Sequence, residues 1–332
     1  MNNNLLEDVQ SIGIQKGDNM AMQTREIHMM GTVIQLSVQH DYANFVLEEL
    51  ILRLKEYEKR FSAHDPASEL MEVNKNAGIK PVKVKPSLYK LIKIGKKHST
   101  PADSSLNIAI GPLVQAWRIG FEDADVPSQT SIESLLSKTN ACDIILDDKD
   151  RTVFLKHADM FIDLGALAKG FIADLLIHDL ESMNVSEALI NLGGNVITHG
   201  ASSKHEDGYW RIGIQHPFLP RGKYIAVLRA FNQSVVTSGI YERSFTKNNK
   251  TYHHILNPQT GYPIKSEIAG LTVVSKKSVD GEIWTSRLFG KTPRQIIDTL
   301  NQLEDIEGIV VTTDSEICYT EALKPYISED IS

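Results

Sequence analysis

Asp163 and Lys169 bracket the run Asp163-Leu164-Gly165-Ala166-Leu167-Ala168-Lys169-Gly170. The apolar residues 160–164 predict a buried strand, small residues then turn the chain, and Lys169 opens a helix. A helix opening presents free N–H groups and the positive end of its dipole, which favours anions. A lysine and a carboxylate placed there suit a phosphate-bearing ligand. They equally suit a plain strand-to-helix turn with a surface ion pair. A second run, Asn191-Leu192-Gly193-Gly194-Asn195, pairs two glycines after a strand. Such a pair lets another group approach the backbone closely, or simply makes a bulge or turn. It is not G-x-G-x-x-G, so no dinucleotide fold of that kind follows.

Two further runs lie in the second half. Thr237-Ser238-Gly239 precedes His253-His254-Ile255-Leu256-Asn257-Pro258-Gln259-Thr260-Gly261. A histidine beside a rigid turn can act as a general base near pH 7. Two adjacent histidines in a strand point to opposite faces, which disfavours a shared metal. Either one also serves as a hydrogen-bonded structural residue. In Asp280-Gly281-Glu282-Ile283-Trp284-Thr285-Ser286 a helix would put Glu282 and Ser286 on one face. A carboxylate and a hydroxyl so placed suit Mg²⁺, which takes hard oxygen ligands. The bland alternative is an ordinary helix start capped by Asp280.

The elements that must position these groups follow from periodicity. Alternation over Thr32, Ile34, Leu36 and Val38 predicts a strand entered through Met30-Gly31. Helical spacing covers 42–60, a short stretch after Ser68, 86–99, residues up to Trp117, and 124–137. A hairpin is expected over 143–155, a helix over 168–183, and one strand over 188–200. Strands at 210–215, 224–231, 234–239 and 267–276 then dominate, with helices from 278 and 293 and a closing hairpin. Helices and strands interleave without regular βαβ spacing. The expected class is α+β, a compact two-lobed unit of mixed sheets and packed helices. We expect a polar leader over 1–22, one domain over 23–325 and a tail over 326–332.

Composition narrows the possibilities. Lys plus Arg number 35 against 42 Asp plus Glu, for a net charge of -7. That balance argues against nucleic acid as a partner. Hydrophobic residues at 42% and charged residues at 23% fit a chain that buries a core. The only cysteines, Cys142 and Cys318, form no C-x-x-C. A disulfide between them is possible on sequence alone, but they read as two unpaired core thiols, which fits a reducing compartment. No run approaches the roughly 18 apolar residues of a membrane helix, and the start lacks a secretory pattern. The expected location is cytoplasmic, without membrane insertion.

Taken together and in order, the motifs resemble the FAD:protein FMN transferases, the ApbE family. The resemblance runs from about Met30 to about Thr292. It rests on Met30-Gly31-Thr32, Phe61-Ser62 with Ser68-Glu69-Leu70 and Asn74, and Gly111-Pro112-Leu113 with Trp117. DLGALAKG, NLGGN, TSG and HHILNPQTG follow in the family's order. The resemblance implies FAD as substrate and Mg²⁺ as cofactor. It implies FAD contacts at Met30, His64, Leu106, Asn107, Ile108, Asp163, Lys169 and Leu256. His64 stands where the family commonly has an aromatic residue. It further implies metal contacts at Glu282, Thr285, Ser286 and the carbonyl of Ala166, with His254 as base.

Some positions depart from the family pattern. Glu282 and Ser286 stand for an Asp and a Thr, with Asp280 a rival for the carboxylate. Asn107 and Asn257 replace acidic residues. The activity implied is Mg²⁺-dependent transfer of FMN from FAD to a Thr or Ser hydroxyl of an acceptor protein, releasing AMP. The acceptor would carry a Ser-Gly-Ala-Thr-like motif. The alternatives are an FAD pyrophosphatase, in which water replaces the hydroxyl, and a non-catalytic FAD carrier.

Overall fold

The computed structural model describes residues 21–329. It opens with a hairpin of β1 (Gln23–Met29) and β2 (Thr32–Gln39). Met30 and Gly31 form its two-residue turn, both at positive φ (52° and 67°), the geometry that matches strand twist. The sequence pattern predicts β2 and misses β1. The latter is an edge strand whose residues alternate only between exposed and half-buried, so no apolar period marks it.

Helix α1 (Ala43–Phe61) follows, then α2 (Glu69–Lys75), capped by the Ser68 hydroxyl on the Met71 N–H. Next come β3 (Val82–Lys83), α3 (Pro86–Ser99), α4 (Gly111–Trp117) and α5 (Gln129–Leu136). Helix α5 starts later than the spacing predicts, because the Ser128 side chain caps it and leaves Pro127 outside. Strands β4 (Ile144–Asp147) and β5 (Thr152–Leu155) form the expected hairpin.

Residues 160–164 are not a strand. They run extended with a side chain in place of a neighbouring strand. Asn74 accepts the Ile162 N–H at 2.8 Å and donates to the Ile162 carbonyl at 3.0 Å. The Asp163 N–H donates to the Ile108 carbonyl at 2.9 Å. Helix α6 (Ala168–Ser182) comes next. The expected single strand over 188–200 is instead a hairpin of β6 (Glu187–Leu192) and β7 (Asn195–His199). Gly193 and Gly194 turn it at φ of 66° and 96°, where L side chains are strained.

The second half builds β8 (Trp210–Gln215), β9 (Tyr224–Ala230), β10 (Ser234–Gly239), β11 (Ser244–Lys247), β12 (Lys250–His253) and β13 (Ile268–Ser275). Helices α7 (Ser278–Leu288) and α8 (Pro293–Leu300) follow, and β14 (Ile306–Thr312), β15 (Ile317–Tyr319) and β16 (Ile327–Ser328) close the chain. Ile327 and Ser328 pair with β9, so ordered pairing extends past residue 325.

The class is α+β, as expected. Eight strands make one antiparallel sheet in the order β1-β2-β6-β7-β10-β13-β14-β15. Smaller sheets are β16-β9-β8, β3-β5-β4 and β11-β12. Alternate residues of a strand face opposite sides. Thus Val235 of β10 joins the core under β8 and β9, while Val236 meets Gly281 of α7. Every residue of β13 is buried, because this strand is covered on both faces. The largest core joins β2 and β6 to α1, α3, α6 and the start of α7. No helix among the described residues is long and apolar enough to cross a membrane.

Candidate active site

The site is assembled where α6 crosses α7. Gly170, in the first turn of α6, makes the crossing close. A Cβ there would lie 2.5 Å from the Ser278 carbonyl oxygen and 2.6 Å from Cγ of Glu282. This contact brings Lys169 to Glu282, with Nζ 3.6 Å from Oε1. Glu282 is only 4% exposed, and a buried carboxylate needs positive or hydrogen-bonding partners. Asn195, which opens β7, supplies a second one, its Nδ2 donating to Oε1 at 3.0 Å. Thr285 is fully buried and its Oγ1 donates to the Glu282 carbonyl at 3.2 Å. Ser286 lies half-buried on the next position.

The start of α7 corrects one expectation. Asp280 does not cap this helix. The cap comes from Asp174 of α6, whose carboxylate accepts the Ser278 and Val279 N–H groups at 2.6 and 3.0 Å. Burial pushes the Asp174 carboxyl up to about 6, against the pull of those two N–H donors. Asp280 is raised by burial too, offset by Lys277. It is Glu282, not Asp280, that meets Lys169 and Asn195.

On the α6 side, Asp163 Oδ1 accepts the Gly165 N–H at 2.7 Å and shapes the turn. Gly165 and Ala166 are exposed there. Glu282, Thr285 and Ser286 offer only oxygen donors on one stretch of α7, beside a buried negative charge. That chemistry fits Mg²⁺. Among the described residues no three His, Cys, Asp or Glu side chains group as a metal site.

The two histidines separate cleanly. His253 is fully partnered: Nε2 donates to the Ile264 carbonyl at 2.9 Å and Nδ1 accepts the Ile255 N–H at 3.3 Å. His254 makes one ring contact, Nδ1 to the Arg243 carbonyl at 3.2 Å. A carbonyl only accepts, so Nδ1 carries the hydrogen and Nε2 keeps its lone pair. The residue is exposed. The protein packed around the ring still desolvates it and lowers its pKa from the usual 6.5. The positive charges of Arg243 and Lys169 add to the fall, against the Arg243 carbonyl contact.

Arg243 is a site residue the sequence reading missed. A loop arginine between two strands carries no periodic or motif signal. Its guanidinium reaches the Met30-Gly31 turn, with Nη2 3.5 Å from where a Gly31 Cβ would be, and its Cδ packs on Gly120. Met30 is held in that turn by its N–H, which donates to Glu58 at 2.8 Å. Lys169 and Arg243 therefore bring positive charge within electrostatic reach of a neutral His254.

The other expected contacts line the periphery. His64 is exposed and stands edge-on to Phe121, 5.4 Å between ring centres, at a cavity of about 290 Å³ that Met71, Gln115, Arg118 and Phe161 also line. Asn107 lines a second cavity of about 270 Å³ with Thr139, Pro258 and Gln259. Its amide is already engaged, donating to the Thr139 carbonyl and accepting the Ala109 N–H, each at 2.8 Å. Leu106, Ile108 and Leu256 are buried in the core, and the Leu106 and Ile108 main chains are held by Ser104, Ser99 and Asp163. Asn257 accepts the Gln259 and Thr260 N–H groups and so shapes its turn without a charge. Trp117 Nε1 donates to the Gly261 carbonyl at 2.8 Å and fixes that turn to α4.

The family model described as "ApbE family" matches residues 30–310. A FAD:protein FMN transferase of Klebsiella pneumoniae is 41% identical over 290 residues, covering 87% of this chain and 89% of its own length. One of Treponema pallidum is 30% identical over 282 residues, covering 82% and 78%. The crystal structure of the ApbE protein of Thermotoga maritima superposes with a TM-score of 0.83 at 26% identity. It covers 92% of this chain and 99% of that one.

Proposed function

The chain belongs to the ApbE family, and from that premise we propose that it is an FAD:protein FMN transferase acting on a Thr or Ser hydroxyl and releasing AMP. The observation that carries the reading is the Nε2 of His254, left without a partner among the described residues by the Nδ1 contact to the Arg243 carbonyl and within electrostatic reach of Lys169. Lys169 and Arg243 hold the charge of the FAD pyrophosphate. The acceptor hydroxyl attacks the FMN-side phosphorus. A new P–O bond forms, the bridging P–O bond to AMP breaks, and His254 Nε2 takes the hydroxyl proton. With its pKa below 6.5 the imidazole is neutral at pH 7 and ready to accept it.

Glu282, Thr285, Ser286 and the Ala166 carbonyl are the residues that would hold Mg²⁺. When bound, the ion withdraws charge from the phosphate oxygens and favours departure of AMP. Met30, His64, Leu106, Asn107, Ile108, Asp163 and Leu256 line the space for the rest of FAD. The acceptor is a flavoprotein with a Ser-Gly-Ala-Thr-like segment. The test is incubation with FAD, Mg²⁺ and such an acceptor. AMP release together with fluorescent flavin on the acceptor band of a denaturing gel is expected. AMP release that needs no acceptor and leaves the band dark overturns transfer in favour of hydrolysis.

A further inference from the structure

Asn195 lies 2% exposed between β7 and α7 and uses both ends of its amide. Its Nδ2 donates to Oε1 of Glu282 at 3.0 Å. Its Oδ1 accepts the Ser278 hydroxyl at 2.6 Å, and Ser278 is fully buried one helical turn before Glu282. The amide therefore spans one turn of α7 and ties both its ends to the sheet. Its orientation is forced. A carboxylate only accepts, so the NH₂ must face Glu282, and the oxygen is left for the Ser278 hydroxyl.

The result is asymmetric. Oε1 holds the Asn195 hydrogen bond and the Lys169 contact. Oε2 makes neither of these contacts, so it is the carboxylate oxygen left for a further partner. The position of Asn195 is itself fixed. Asn191 accepts the Gly194 N–H at 2.8 Å, which shapes the turn before it. Gly193 is pressed on Thr32, where a Cβ would fall 2.2 Å from Oγ1. A buried polar trio between a strand and a helix is a poor way to gain stability, since matched apolar side chains would pack there without desolvation cost.

We propose that Asn195 and Ser278 are positioning residues for the transfer, holding Glu282 by Oε1 so that Oε2 alone is presented to a divalent cation. The proposal rests on the reading of Glu282 as a metal ligand. Residues behind a metal ligand typically change affinity by about 10- to 100-fold when lost.

The experiment titrates Mn²⁺ into the metal-free protein without FAD and reads the free-ion signal by electron paramagnetic resonance. FAD affinity without metal and melting temperature are measured on the same samples. Asn195→Ala is expected to weaken Mn²⁺ by about tenfold or more, with metal-free FAD affinity unchanged. Ser278→Ala is expected to weaken it in the same direction and by less, because it only frees the amide to turn. Unchanged Mn²⁺ affinity in both variants overturns the positioning role. If Asn195→Ala does not fold, Ser278→Ala decides alone. Glu282→Ala separates the two levels: if it still binds Mn²⁺ like the parent protein, the ligand reading has failed and the positioning role falls with it.

Discussion

His253 holds still the strand end that presents His254. Its two ring nitrogens are tied to main chain on either side of the Asn257–Gly261 turn, at Ile255 and Ile264, while the neighbouring imidazole keeps Nε2 open. One histidine is a fastener and the other a reagent, and their substitutions should fail differently. His254→Ala should lower FMN transfer by on the order of 10² to 10⁴, with FAD binding retained. His253→Ala should instead lower unfolding stability by about 1–2 kcal/mol through its lost hydrogen bonds. Transfer rates and urea unfolding of both variants distinguish them. Equal rate losses with equal stability would contradict this division.

The rate profile carries the same signature. Because desolvation holds the His254 pKa below 6.5, the transfer rate should be flat around pH 7 and fall only on the acid side, below pH 6.5. An acid limb centred above pH 7 would mean a different base.

Asp174 gives a pH dependence of opposite sense in stability. Its carboxyl is raised by burial from 3.8 to about 6, so the folded state binds the proton more tightly than the unfolded state. The stability this supplies is complete below about pH 4 and is lost as pH rises through about 6. Two pKa units correspond to roughly 3 kcal/mol. Asp174→Asn should lack that decline, and denaturant unfolding at pH 4, 5, 6 and 7 checks it. Parallel curves for parent and variant would remove Asp174 as the source.

Lys169 has a double duty that one variant can split. Lys169→Ala should weaken FAD binding, since it removes a phosphate-holding charge. It should also strand a buried Glu282 with Asn195 as its remaining side-chain partner, and breaking a buried pair costs about 3–5 kcal/mol at most. Adding Mg²⁺ should recover part of the lost melting temperature, because a divalent ion replaces the ammonium. A melting temperature insensitive to Mg²⁺ would show that the ion does not sit on Glu282.

Gly170 tests the crossing of the two helices. A methyl group added there meets the Ser278 carbonyl, a main-chain atom that cannot swing away. Gly170→Ala should cost about 1–3 kcal/mol as overpacking and separate Lys169 from Glu282. Thermal melting and transfer assays should fall together. A normal melting temperature would mean that the backbones relax apart freely.

The sequence made the site's chemistry legible and its geometry only partly so. DLGALAKG, NLGGN and HHILNPQTG stood out because glycine, lysine and histidine occupy places a core would fill otherwise, and the helix of Glu282 followed from spacing. What stayed hidden depends on neighbours far along the chain. Asp280 looks like a cap because it lies near the start of α7, yet Asp174 does that work from another helix. Residues 160–164 look like a strand because they are apolar and extended, yet their partner is the Asn74 amide. Arg243 shows nothing locally, since its importance comes from the carbonyl it offers His254 and the turn its side chain reaches. Edge strand β1 has too little burial to leave a pattern.

The Asn74 clamp has a bearing on how the protein comes to be active. A ladder extends by adding one neighbouring pair after another, but this clamp joins positions 88 residues apart in a single step. The loop must close before the two hydrogen bonds repay its entropy. Asp163 and the helix opening it precedes are therefore set in place only once the first and middle thirds of the chain have met. A chain as far as Lys169 holds both ends of the clamp but not α7, so the Lys169–Glu282 pair needs a second and longer closure.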